Sequence, residues 1–154
     1  MGLTIHYSGM LRSSNLIDQI TAEAADIGKS LHWTVQHIPA YPDVPVRGVI
    51  MAPEKSEPVW LTFHQQGFLC NPILYEQVMK STGQSISAEH EQWLFTKTQY
   101  AGAEAHINII RLLKHLSNKY FKRFECHDES HFWETGDEDQ CRKRFGEYDK
   151  IISF

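Results

Sequence analysis

The sequence predicts an α+β fold: an antiparallel sheet of about five strands with two long helices on one face, then a C-terminal strand and helix. Three observations predict it. Strand-like segments at 46–52 and 59–64 are joined by the polar turn "PEKSEP", which is hairpin spacing. Two stretches with apolar residues at helical period, about 15–31 and 101–121, lie on either side of this strand-rich middle. Five of the six prolines fall between 39 and 58 and mark loops and edge connections there, because proline fixes φ and donates no backbone hydrogen bond.

Each element has its own signature. Leu3, Ile5 and Tyr7 alternate with Thr4 and His6, which gives a first strand with the apolar set inward. "SGMLRSSN" then reads as a turn, and Ser14 or Asn15 can cap the first helix. Its stripe is Leu16 or Ile17, Ile20, Ala24, Ile27 and Leu31. "WTVQHI" at 33–38 is the second strand, followed by "VRGVIMA" and "VWLTFH". Residues 65–90 carry apolar groups without a clean period, so a short helix near 73–80 within loop is expected. "WLFTKTQY" at 93–100 has the aromatic and Thr content of a strand. The second long helix carries Ile109, Leu112, Leu113, Leu116 and Tyr120 on one stripe, with Lys119 and Lys122 at its C-terminal end. A strand at 131–134 and a final helix follow. The β-α-β-β-β-β-α order resembles helix-grip and TATA-binding-protein-like folds, a likeness of topology that carries no function.

Composition narrows the class. A chain of 154 residues suits one domain and buries roughly 70% of its unfolded surface without help from disulfides or metal. The formal net charge of −4 argues against non-specific binding to nucleic acid or to an anionic membrane. Cys70, Cys126 and Cys141 are odd in number and include no CxxC, so reduced thiols in the cytoplasm are expected. "MGLTIHYSGML" lacks the regions of a signal peptide, and His6 stands where myristoylation needs Ser or Thr. No apolar run approaches the ~20 residues that span a bilayer.

The densest chemistry lies in "CHDESHFWETGDEDQC", residues 126–141. Its second half has a structural explanation. Gly136 turns the chain, Asp137 can cap a helix with Gln140 three residues on, and Glu138 and Asp139 suit the first turn. Glu138 can pair with Arg142 and Asp139 with Lys143. Cys141, Phe145, Tyr148 and Ile152 make the buried stripe of that helix. The first half reads as a solvated acidic turn; alternatively it supplies His127, His131 and Glu134 as candidate ligands for zinc or a similar ion, which would support a metal-dependent hydrolase. A third reading makes the acidic stretch the contact for a basic partner protein.

A second constellation follows from strand alternation. With Val59, Leu61 and Phe63 inward, Trp60, Thr62 and His64 share the far face, where His6 and Gln36 join them. Aromatic area plus imidazole, amide and hydroxyl groups suits a small ligand or a protein partner, and a homodimer could use the same face. No G-x-S-x-G, P-loop or G-x-G-x-x-G occurs. Cys70 with His64 could form a nucleophilic pair, but no orienting group or oxyanion signature accompanies them. His90 is expected at the surface, His106 in the core and His115 off the buried stripe. The leading expectation is therefore a non-catalytic binding module that needs no cofactor and works through the face of His6, Gln36, Trp60, Thr62 and His64.

Overall fold

A computed structural model describes residues 3–40, 44–83 and 92–152. The chain runs β1 (Thr4–Leu11), a 3₁₀ turn (Ser14–Leu16), α1 (Ile17–Ser30), β2 (Thr34–Ile38), β3 (Val46–Ala52), β4 (Val59–His64) and α2 (Pro72–Thr82). It continues through β5 (Leu94–Lys97), α3 (Ala103–Tyr120), β6 (Phe121–Asp128), α4 (Phe132–Thr135) and α5 (Glu138–Ile152). The fold is mixed α+β, as the sequence predicts. The single sheet of about five strands is not found: the strands form two antiparallel three-stranded sheets, ordered β5-β1-β6 and β2-β3-β4.

The two sheets are tied to each other by backbone. Residues 67–69 pair on one side with β1, through Leu11 N–H to Gly67 O and Leu69 N–H to Gly9 O, and on the other with β4, through His64 N–H to Phe68 O. At the far end Glu57 N–H donates to Lys97 O. Tyr7 adds a side-chain clasp: its hydroxyl donates to Trp60 O at 3.0 Å and accepts from Trp60 N–H at 2.9 Å. The segment after His64, expected as plain loop, therefore acts as a short connecting strand.

One apolar cluster joins both sheets to α1, α3, α4 and α5. It holds Ile5 and Tyr7 of β1, Val49 and Met51 of β3, Leu61 and Phe63 of β4, and the α3 stripe from Ile109 to Tyr120. The inward sets expected for β1 and β4 are all buried. In α1 the stripe holds at Ile17, Ile20 and Ala24, while Leu31 at the helix end is exposed. Gly28 lets α1 approach β3, since a Cβ there would lie 2.6 Å from the Met51 sulfur.

Local signals set several boundaries differently. Ser13, not Ser14 or Asn15, caps the first helical segment, accepting from Asn15 N–H. β1 continues through "SGML" because β6 pairs with it as far as Leu11. α3 ends at Tyr120 and the chain turns directly into β6, so Lys122 lies in a strand instead of a helix end. The strand expected at 131–134 is the short helix α4. Asp128 causes this: its carboxylate accepts the backbone N–H groups of Ser130 and Trp133 and bends the chain there. α5 begins as read, with Asp137 Oδ1 accepting from Gln140 N–H at 3.0 Å. Asp139 meets Arg142 at 3.5 Å, and Glu138 meets the same guanidinium. The side chains of Tyr148 and Ile152, and all of His90, lie outside the described residues.

Candidate functional site

The five residues read as one face divide between two sheets and two environments. In the second sheet Gln36 stands opposite Ile50, and Ile50 opposite Trp60, so Gln36 and Trp60 share a face as expected. Gln36 is exposed and Trp60 half-buried. Thr62 and His64 share that alternation but are buried, not open. The connecting segment and α2 cover them. Thr62 Oγ1 donates to Cys70 O at 2.6 Å, and the His64 ring stacks on Phe68 at 4.6 Å. His64 Nδ1 accepts from Gln66 N–H at 3.1 Å, and burial pushes its pKa down, so the neutral ring is favoured. These two residues build a satellite core with Val46, Phe68, Cys70 and Tyr75. His6 lies on the first sheet, between Phe95 of β5 and His127 of β6 in the pairing register.

Beside Trp60 a groove of about 230 Å³ opens where the sheets meet, lined by Trp60, Trp93, Phe95 and Leu74 with Glu57 and Asn71 at its polar positions. Trp93 is 37% exposed, Leu74 39% and Phe95 54%, and this apolar surface faces solvent. Such clustering marks interaction sites in folded proteins. Neighbours contact two of the rings and the backbone of the third. Trp93 stacks on His127 at 5.0 Å, Phe95 lies 6.3 Å from His6, and Tyr7 clasps the backbone of Trp60. Asn71 caps α2 through the N–H groups of Ile73 and Leu74, which fixes that wall. Of the residues expected on the binding face, Trp60 lines this groove and His6 lies beside Phe95. Trp93 and Phe95 also line it and are not part of that expected face, although the aromatic content of "WLFTK" is a signal for them.

The metal alternative meets a different geometry. His127 is engaged with Trp93, while His131 Nδ1 lies 3.8 Å from Glu134 across one turn of α4. Among the described residues no group of three His, Cys, Asp or Glu side chains is placed to hold a metal ion. His131 has φ +62°, which identifies its backbone role as the hinge between β6 and α4.

A buried polar cluster was not foreseen. His106 of α3, Asp128 of β6, Ser130 and Thr98 are all inaccessible. His106 Nε2 lies 2.8 Å from Asp128 Oδ1 and 2.9 Å from Ser130 Oγ, and its Nδ1 is 2.6 Å from Thr98 Oγ1. The residue types are those of a hydrolytic triad, but the connectivity is not. A triad histidine bridges acid and nucleophile with different ring nitrogens. Here both contact the same nitrogen, and Ser130 Oγ donates to the Asp128 carboxylate at 2.8 Å. Burial alone would raise the Asp128 pKa; the bonds from His106 and from the Ser130 and Trp133 amides outweigh it and hold the carboxyl below its ordinary range. The cluster pins α3 to the β6–α4 turn. His106 lies in the core as expected; Asp128, which falls in the stretch expected to be a solvated turn, is its buried partner.

Cys70 is fully buried, and desolvation pushes its thiol up to about 12. Burial disfavours its thiolate, and its Sγ meets Asn71 O at 3.9 Å while the His64 ring contacts Phe68 and Tyr75. Cys126 and Cys141 are also free and buried. No family model matches the chain, and no curated protein or solved structure is significantly similar to it. Among the described residues no helix is long and apolar enough to cross a membrane.

Proposed function

We propose that this chain is a non-catalytic binding module whose ligand seats in the groove of Trp60, Trp93 and Phe95. The observation that carries the reading is solvent-facing aromatic area at one groove, with Trp93 stacked on His127 and the Trp60 backbone clasped by Tyr7. Exposed apolar surface is costly to keep in water, and preorganised rings lose little entropy when they bind. The groove replaces the buried Thr62 and His64 as the centre of the site; His6 supports it from the neighbouring strand, and Gln36 extends its face across the second sheet. A small molecule or a partner's side chain is the occupant this volume suits. Three buried, unpaired cysteines support a cytoplasmic setting.

A screen of small aromatic and alkyl compounds by ligand-detected NMR tests the proposal. Binding compounds should lose their signal changes with the Trp60→Ala/Trp93→Ala double variant. Compounds that bind the double variant as well as the parent would place the site elsewhere.

A further inference from the structure

We infer that the groove recognises an organic cation, a fully alkylated ammonium group carried by a small molecule or a modified side chain. The inference rests on the binding role proposed for the groove and names its ligand class. Three aromatic side chains, Trp60, Trp93 and Phe95, border one space. The faces of such rings carry negative electrostatic potential and attract cations, Trp most strongly. Among the described residues lining the groove Glu57 is the one ionisable residue, and it is acidic. Its Oε1 accepts the Lys97 backbone N–H at 2.8 Å, which fixes the carboxylate at the groove and uses one of its two oxygens. The nearest lysine on this strand is diverted: the Lys97 ammonium sits 5.6 Å over the Tyr100 ring.

An anion in this space would meet a carboxylate and three aromatic side chains that carry no positive charge. An unsubstituted ammonium would need several hydrogen-bond acceptors, and the Asn71 oxygen is already occupied by two amides. An alkylated ammonium needs none and presents methyl groups to Leu74 and the rings. At about 230 Å³ the groove holds a head group; whole drug-sized ligands occupy pockets from roughly 300 Å³ upward.

Choline and its uncharged carbon analogue 3,3-dimethylbutan-1-ol differ in charge and little in shape, so titrating each while following tryptophan fluorescence isolates the charge. Choline should bind at least about fivefold more tightly than the neutral compound. Glu57→Gln keeps an acceptor for the Lys97 amide, so it should weaken choline several-fold and leave the alcohol unchanged. Trp93→Ala should abolish both. Equal affinities for the two compounds would overturn the cation assignment and leave the binding role standing. Binding of neither would overturn the assignment as well, and the compound screen above would then decide the binding role separately.

Discussion

Single side chains decide what is available for chemistry here. Burial moves Cys70 out of reach and raises its pKa, so native protein treated with iodoacetamide at neutral pH should show no alkylation of Cys70 by mass spectrometry. Fast modification would mean the satellite core opens readily. The His106–Asp128 contact is a buried pair whose partners depend on each other. Asp128→Ala should destabilise by about 3 kcal/mol, the cost of leaving a buried imidazole and two amides without an acceptor, read as a lowered urea midpoint. The acid limb of stability follows from the same logic. Glu23 accepts hydrogen bonds from Lys119, Tyr120 and His115, and the Lys119 ammonium is the main cause of its fall from 4.5 to about 2. Its folded value lies below its unfolded one, so its contribution is complete above the ordinary value and is lost as pH falls toward 2. Glu23→Gln should therefore flatten the urea midpoint against pH across that window. An unchanged profile would remove Glu23 as a contributor.

Elements show why parts of the fold were legible and others were not. β3, β4, α1 and α3 announce themselves because one face of each is apolar at the right period, and the structure buries those faces. β6 was hidden. "FKRFECHD" follows α3 with no Gly or Pro to stop the helix, and Lys122, Arg123 and Glu125 break its alternation. Its strand state comes from pairing with β1, a contact no local pattern encodes. α4 reads as a strand from "HFWE" alone and becomes helical because Asp128 captures two backbone amides. The site was half legible for a similar reason. Alternation placed Trp60 and Gln36 on one face, but the aperiodic segment that covers Thr62 and His64 gave no warning. His131 supplies a test at this scale. Its positive φ costs a non-glycine residue about 1 kcal/mol, so His131→Gly should leave stability unchanged or raise it slightly. A marked loss in melting temperature would assign the imidazole side chain a role beyond shaping the turn into α4.

At the scale of the whole molecule, the two sheets share one core and are joined by residues 67–69, by Glu57 and Lys97, and by the Tyr7 clasp. Tyr7→Phe removes one hydroxyl and leaves both Trp60 backbone groups without that partner, which should cost about 2 kcal/mol. Because the clasp sits behind the groove, the same variant should weaken groove ligands more than a destabilising change at Gly28 does. The parent should unfold in one transition, with near- and far-ultraviolet circular dichroism superimposing; separate transitions would show that the sheets are independent units.

Two of the four tryptophans, Trp60 and Trp93, line the groove and report on it directly. In a ¹⁵N-labelled sample the indole N–H signals of Trp60 and Trp93 should move together as a binding compound is added, while those of Trp33 and Trp133 stay in place. Movement confined to Trp33, Trp133 or backbone sites away from the groove would contradict the groove as the binding site.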